Sequence, residues 1–132
     1  MAEISDDLLS RGPKNAAVTL ELFADLQSPV SRPTIDVLDQ LMKKYPTVVR
    51  LQFRNYPLAF HAQAALAHEA AMTAARQGQF WPFASFILGH QDSLREQDLI
   101  IYAGRLGLDE AAFAEYVEAE LKAQRVNQPT TP

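Results

Sequence analysis

The spacing at which apolar residues recur changes several times along the chain, and each spacing predicts a strand or a helix. Residues 17–24 are rich in β-branched and aromatic side chains, which predicts a buried strand. From Thr34 apolar residues recur at helical spacing until Tyr45-Pro46, which predicts a first helix. Alternation from Val49 to Arg54 then predicts a second strand. Strand, helix and strand with short joints predict a parallel βαβ unit with a right-handed crossover.

The second half of the chain predicts helices throughout. Alanine dominates from His61 to Arg76, and Gly78 follows where a C-cap residue belongs. Phe80, Trp81, Phe83 and Phe86 lie at helical spacing, so we expect this aromatic cluster to belong to the core and not to a ligand site. Two further helices are predicted, the first opened by the capping-box spacing of Ser93 to Glu96 and the second capped by Asp109.

These patterns predict one domain, as the length of 132 residues also does. We expect a leader over residues 1–16, a folded domain over 17–126 whose helical part covers about 61–125, and a disordered tail over 127–132.

Composition excludes several classes of function. The net charge is −4 and the 12 Lys and Arg residues are scattered, so no basic stripe for nucleic acid is expected. No apolar run reaches the length of a membrane span, and the acidic N-terminus differs from a secretory signal, so the chain as given is expected to be cytoplasmic. The absence of cysteine excludes disulfides, thiolate catalysis and cysteine metal sites.

The segment FADLQSPVSRP, residues 23–33, places two serines three apart where the first helix is expected to begin. Ser28 is a good N-cap residue and Pro29 a favoured first helical residue. Pro33 could instead be that first residue, with Ser31 just ahead of it. The pattern leaves this boundary open.

Four motifs in order resemble the DsbA-like branch of the thioredoxin superfamily. They are the strand that ends at Asp25 before the serine pair, FRNYPL at 53–58, QGQFW at 77–81 and YAGRLGLD at 102–109. The resemblance covers roughly residues 12–126. It implies a thioredoxin-like α/β fold in which a large helical insertion follows the βαβ unit, and a protein or peptide as substrate or partner. Members of this family are often periplasmic or otherwise extracytoplasmic.

In that family, the positions that match Ser28 and Ser31 usually hold the cysteines of a Cys-Pro-x-Cys redox motif. A helix N-terminus lowers the pKa of a thiolate and so activates it for disulfide exchange. A serine hydroxyl stays protonated near neutrality, and two hydroxyls form no equivalent of a disulfide. We therefore expect a member of the disulfide oxidoreductase family that is redox-inactive in this form.

Three interpretations of the serine pair stay open. It caps a helix in a member that has lost redox activity, or it replaces two cysteines by engineering. The third interpretation is that Ser28 is functional, since SPVS also resembles the SPYS start of the kappa-class glutathione transferase and isomerase group. Glutathione is a cofactor only under that interpretation, and otherwise none is expected. A non-enzymatic module that binds a partner protein is a further functional class.

The family closes with a cis-proline segment, a β-hairpin and a final helix, and only six residues follow Val126 here. Thr131-Pro132 echoes the threonine-proline pair of that segment, but no strand can follow it. Two parallel strands make a narrow sheet with open edges. We expect the edges to be covered by residues 3–9, by a second subunit or by a partner, unless the chain is a piece of a longer polypeptide. Homodimerisation through the open edge is our hypothesis.

The remaining candidates surround the serine pair. Asp25 could tune a group at Ser28, although an ordinary strand-terminating aspartate is as good an explanation. Carboxyl ends of parallel strands border ligand grooves in open sheets, so a groove is predicted from five residues. They are Pro29, Val30, Arg54, Asn55 and Tyr56. No metal site is expected, because His61, His68 and His90 lack metal-ligand spacing.

Overall fold

The computed structural model describes residues 4–58, 61 and 63–127, without the side chains of 124–127. A 3-10 turn at Asp6–Leu9 is followed by three strands and five α-helices in these residues. In chain order they are β1 Ser10–Arg11, β2 Val18–Ala24, α1 Ser31–Lys44, β3 Val49–Asn55, α2 Ala64–Arg76, α3 Phe80–Leu88, α4 Glu96–Arg105 and α5 Glu110–Asn127.

The three strands form one sheet in the order β1-β3-β2. β2 and β3 are parallel from Val18 opposite Val49 to Ala24 opposite Asn55, as the βαβ pattern predicts. β1 lies antiparallel on the other side of β3, with Arg11 opposite Leu51. Within the segment expected to be a leader, residues 10–11 thus form a third strand that covers one edge of the sheet. The outer edge of β2 has no neighbouring strand among the described residues.

The core lies between one face of the sheet and the helices. Leu51 and Phe53 of β3 are fully buried, as are Phe80 and Phe83 of α3 and Phe113 of α5. The Phe53 and Phe80 ring centroids lie 5.0 Å apart, and Trp81 meets Phe53 edge-on at 6.0 Å. Phe80 and Phe83 therefore belong to the core, as the helical spacing predicts, and Trp81 and Phe86 pack against it half-buried.

Two helix starts differ from the sequence prediction. The N-cap of α1 is Val30 and its first residue is Ser31. Ser28 is therefore not the N-cap, and neither Pro29 nor Pro33 is the first helical residue. A separate turn comes first, in which the Ser31 N–H donates to the Ser28 carbonyl oxygen at 3.2 Å. The N-cap of α4 is Arg95 instead of Ser93, and Leu94 between them is completely buried. The reciprocal half of a capping box does form, since the Asp98 carboxylate accepts from the Arg95 N–H.

The predicted helix ends and the last cap agree with the structure. Gly78 and Gly107 take φ values of +74° and +76° just after α2 and α4, where a left-handed residue ends a helix. Asp109 accepts from the Ala112 N–H and caps α5. α2 begins at Ala64, three residues after the predicted His61. Of the predicted tail, Asn127 ends α5 and residues 128–132 lie outside the described residues.

None of the helices described is both long enough and apolar enough to traverse a bilayer.

Candidate binding groove at the serine pair

Hydrogen bonds to the backbone carbonyl oxygen of Asp25 hold the loop between β2 and α1 together. The Asp25 carbonyl oxygen accepts from the Ser31 hydroxyl at 2.6 Å and from the Ser28 N–H at 3.0 Å. Both serines are buried, with 8% of Ser28 and 5% of Ser31 exposed. The Ser31 hydroxyl is therefore occupied by an internal hydrogen bond at the position where a helix begins.

Ser28 differs from Ser31 in the role of its hydroxyl. Its oxygen accepts a long hydrogen bond of 3.4 Å from the Val30 N–H. Within the part of the chain that the structure describes, the same hydroxyl donates to no acceptor, and Ser28 lines the groove described below. Gln91 holds the residue in place through its backbone, because the Gln91 side-chain amide donates to the carbonyl oxygens of Leu26 and Ser28 at 3.0 and 2.8 Å.

The Asp25 carboxylate ties this loop to the segment after β3. It accepts from the N–H groups of Gln27 at 2.7 Å and Leu58 at 2.8 Å, and from His61 Nδ1 at 2.6 Å. Burial raises the pKa of this carboxyl, but the hydrogen bonds from Leu58, His61 and Gln27 outweigh burial and hold the pKa below its usual value. Asp25 meets the serines through its carbonyl oxygen, and the role of its carboxylate in tuning Ser28 stays a prediction.

His68 fixes the other side of the loop, a role that the sequence analysis missed. Its Nε2 accepts from the buried Leu26 N–H at 3.1 Å, so Nδ1 carries the proton and donates to the Asn55 side-chain oxygen. Burial lowers the pKa of His68 to about 4, partly opposed by the charge of Asp25, and keeps the ring neutral. The available signal was its place among the buried alanines of α2, where a polar ring needs partners.

A groove of about 240 Å³ opens beside the serines, between the end of β2 and the start of α1. Ten residues line it: Leu22, Phe23, Ala24, Asp25, Ser28, Val30, Ser31, Thr34, Tyr56 and Leu58. Three of them are largely exposed and form an apolar rim, namely Phe23 at 60%, Val30 at 67% and Tyr56 at 59%.

The structure brings together only part of the predicted groove. Val30 and Tyr56 line it, whereas Pro29, Arg54 and Asn55 are not among its lining residues. Arg54 instead binds the carboxylates of Asp6 and Glu21 on the sheet surface, and Asn55 accepts from His68. The described residues contain no cluster of His, Cys, Asp and Glu side chains that could hold a metal ion.

Sequence comparison finds relatives that are much longer than this chain. It is 40% identical over 119 residues to the Na(+)/H(+) antiporter NhaA 3 of Salinispora tropica, a match that covers 89% of the chain and 18% of the antiporter. The antiporter NhaA of Herminiimonas arsenicoxydans is 30% identical over 118 residues, with 89% of this chain and 19% of the relative covered. The chain thus spans under a fifth of the length of these curated relatives. No family model matches it.

Comparison with solved structures gives the fold. Oxidised BdbD from Bacillus subtilis superposes with a TM-score of 0.71 at 21% identity, covering 97% of this chain and 80% of BdbD. A thioredoxin-like oxidoreductase from Silicibacter pomeroyi DSS-3 gives a TM-score of 0.69 at 25% identity, with 97% and 83% covered. The chain therefore has the thioredoxin-like α/β fold of the DsbA type, as the resemblance of its motifs implies.

Proposed function

We propose that this chain is a redox-inactive DsbA-like domain that binds an extended polypeptide segment in the groove beside Ser28. The observation that carries the proposal is the loop between β2 and α1, in which the two serines that match the family's redox cysteines by motif are both buried and the Ser31 hydroxyl is bonded internally to Asp25. Disulfide exchange requires a thiolate that attacks sulfur and a second thiol that resolves the mixed disulfide. This chain contains no cysteine to supply either one.

The shape of the groove favours a polypeptide over a small molecule. Its volume of about 240 Å³ lies below the roughly 300–1,000 Å³ of small-molecule pockets. Its rim consists of exposed apolar side chains. It lies beside the outer edge of β2, where the described part of the chain supplies no neighbouring strand. An extended segment can use both features, because its backbone pairs with a strand edge while an apolar side chain enters the groove.

Glutathione is the second candidate, favoured by the Ser28 hydroxyl, which belongs to a residue that lines the groove and donates to no acceptor among the described residues. A hydroxyl in that position could donate to a bound thiolate. Against it, none of the residues that line the groove is Lys or Arg, and glutathione carries two carboxylates that need cationic or donor partners. Calorimetry with millimolar reduced glutathione is expected to show no binding heat, and a saturable heat that Ser28→Ala abolishes would favour glutathione instead.

The antiporter relatives suggest a setting for this function. The thioredoxin-like superposition covers 97% of the chain, so the region shared with the antiporters folds as an α/β domain in this chain. We infer that this region is an accessory domain that binds polypeptide and does not itself carry ions. Reconstitution of the chain in vesicles with a sodium gradient is expected to leave the internal pH unchanged, and sodium-dependent proton flux would contradict the inference.

Redox inactivity is tested by reduction of insulin with dithiothreitol, followed by turbidity. The chain is expected not to accelerate the reaction, whereas Ser28→Cys combined with Ser31→Cys is expected to accelerate it. Acceleration by the unaltered chain would overturn the proposal. A folded double-cysteine variant that stays inactive would contradict the assignment of these positions to the family's redox pair.

Polypeptide binding is tested with fluorescent, reduced and carboxymethylated α-lactalbumin, an unfolded chain without free thiols. We expect a saturable rise in anisotropy as the chain is added. Val30→Asp is expected to lower the affinity at least tenfold, because it places a charge on the apolar rim. Ile101→Asp is the matched control, since Ile101 is exposed on α4 and does not line the groove. Absence of binding, or equal loss in both variants, would overturn the proposal.

A further inference from the structure

A second cavity lies on another side of α1 and is lined by residues of this helix, of α3 and of the short strand β1. Its volume is about 380 Å³, which falls within the roughly 300–1,000 Å³ of small-molecule sites. It shares no lining residue with the groove beside Ser28, so the two surfaces are separate. Apolar side chains form one part of its wall, among them Ile35, Ala84 and Leu88. Four charged side chains form another part: Arg11, Arg32, Asp36 and Asp39.

Two residues on this wall carry a nitrogen that lacks a hydrogen-bond partner in the part of the chain that the structure describes. They are Arg11, at Nε, and Trp81, at Nε1, and both atoms are shielded from solvent. The guanidinium carbon of Arg11 lies 4.3 Å from the centroid of the Trp81 ring, so the two donors belong to one stacked pair. Buried donors are nearly always paired in native proteins. A ligand with an acceptor group would satisfy this pair.

Arg11 has the capacity to bind a second anion. Its guanidinium forms an ion pair with Asp39 of α1, and 33% of the Arg11 side chain remains exposed. Partial burial lowers the pKa of Arg11 below its usual value, because the removal of water disfavours the charged form. A guanidinium offers several N–H donors in a planar fork and binds carboxylates with two of them at once. Arg11 can therefore hold Asp39 and the carboxylate of a ligand together.

The acidic side of the cavity is open to a cation. Asp36 and Asp39 lie three residues apart on α1, so their carboxylates are neighbours on one face of the helix. Arg32 holds Asp36 loosely, since its Nε lies 3.6 Å from Asp36 Oδ1 and 57% of the Asp36 side chain is exposed. An ammonium group with three N–H donors can bind between the two carboxylates.

We propose that this cavity binds an amino acid with an apolar side chain, in its zwitterionic form. The carboxylate of the ligand accepts hydrogen bonds from Arg11 and Trp81. Its ammonium group donates to Asp36 and Asp39. Its side chain packs against Leu88 and the other apolar residues of the wall, which removes apolar surface from water.

The charges of the wall favour this class of ligand over others. The two arginines and two aspartates sum to zero, and a ligand with a single charge would meet like charge on one side of the cavity. An uncharged apolar ligand would leave the nitrogens of Arg11 and Trp81 without an acceptor. A zwitterion offers the opposite charge to both sides, and such complementarity is what gives a site its specificity.

Fluorescence of Trp81 tests binding directly, because this residue is the single tryptophan of the chain and lines the cavity. Addition of L-leucine or L-phenylalanine at millimolar concentration is expected to change the emission saturably and to give a binding heat in calorimetry. L-Leucinamide, which lacks the carboxylate, and isocaproate, which lacks the ammonium group, are expected to bind about tenfold more weakly or worse. Absence of both signals with the two amino acids, or binding of either analogue as tight as that of L-leucine, would overturn the proposal.

Two substitutions test the proposed contacts. Asp36→Asn removes one carboxylate at an exposed position and is expected to weaken the binding of L-leucine about tenfold. Arg11→Lys keeps a positive charge beside Asp39 but loses the planar fork, so a similar loss of affinity is expected. Asp92→Asn is the matched control, since Asp92 is exposed and does not line the cavity. Unchanged affinity in Asp36→Asn, or an equal loss in Asp92→Asn, would overturn the proposal.

Discussion

The Ser31 hydroxyl donates a 2.6 Å hydrogen bond to the backbone carbonyl oxygen of Asp25, six residues earlier in the chain. The bond joins the first turn of α1 to the end of β2 within a buried loop. A hydroxyl is a good donor for this contact and a thiol a weak one. The oxygen at this position thus stabilises the loop in a way that a cysteine would not, which is consistent with a structural role for the serine.

Replacing Ser31 is expected to destabilise the fold. Ser31→Ala removes this hydrogen bond, but the Asp25 carbonyl oxygen still accepts a hydrogen bond from the Ser28 N–H. Because no buried acceptor is left unsatisfied, we expect the free energy of unfolding to fall by only about 1 kcal/mol. Ser31→Cys is expected to lose a similar amount. Urea unfolding followed by circular dichroism measures both, with the exposed Ser85→Ala as control. Unchanged stability of Ser31→Ala would show that the bond contributes nothing.

His68 is expected to make stability depend on pH between about 6.5 and 4. Its pKa is lowered to about 4 in the folded chain from a usual 6.5, so the unfolded chain binds a proton across this window and the folded chain does not. Stability therefore falls as the pH drops from 6.5 to 4, by roughly 3 kcal/mol if the whole shift is expressed. Urea unfolding at half-unit pH steps measures the slope.

The control for this prediction is His68→Gln, which cannot titrate. Gln places an amide near the Leu26 N–H, so we expect a less stable protein whose pH slope between 6.5 and 4 is much smaller. If His68→Gln keeps the full slope, another group causes it.

The parts of the fold that follow from local pattern were predictable. The apolar run at Val18–Ala24 and the alternation at Val49–Asn55 predict two strands. The helix between them predicts that the strands are parallel, which the structure confirms. β1 was missed because Ser10-Arg11 is two residues long and polar. It forms through distant contacts, since Arg50 and Arg54 bind Asp7 and Asp6 in the turn just before it.

The candidate site shows the same division between local and distant interactions. The motif predicts correctly that the serine pair lies near a helix start. It does not predict which residue is the N-cap of α1, because a separate turn lies between Ser28 and the helix. The contact of His68 with Leu26 joins residues 42 apart. A helical pattern shows only which face of α2 is buried, and the partner on that face is set by the tertiary fold.

Asp25 is expected to stabilise the loop above pH 4. Asp25→Asn replaces one carboxylate oxygen by an N–H₂ group, which accepts no hydrogen bond. Either Oδ2, which accepts from the Leu58 N–H and from His61 Nδ1, or Oδ1, which accepts from the Gln27 N–H, is lost as an acceptor. We expect a cost of roughly 1–3 kcal/mol near neutral pH.

The pH dependence gives a separate test of Asp25. Its pKa is lowered in the folded chain, so its contribution is complete above the unfolded value of about 3.9 and is lost as the pH falls through the folded value. The difference between Asp25→Asn and the unaltered chain should therefore shrink below pH 4. Asp36→Asn, at an exposed position, is the control. A difference that grows in acid would contradict the assigned direction.

Gly12 is expected to tolerate no side chain, because it joins β1 to the approach of β2 at φ +100°. A Cβ there would lie 2.7 Å from the Val49 carbonyl oxygen and 3.1 Å from the Arg50 Cα, both backbone atoms that cannot move away without shifting β3. Gly78 offers a matched comparison, since its φ is +74° and a Cβ would meet nothing within 4 Å. Gly78→Ala should lower the free energy of unfolding by about 1–2 kcal/mol, which is the cost of placing an L-residue in the left-handed conformation. Gly12→Ala should cost clearly more in thermal or urea unfolding, and equal losses would mean that β1 is free to move away from β3.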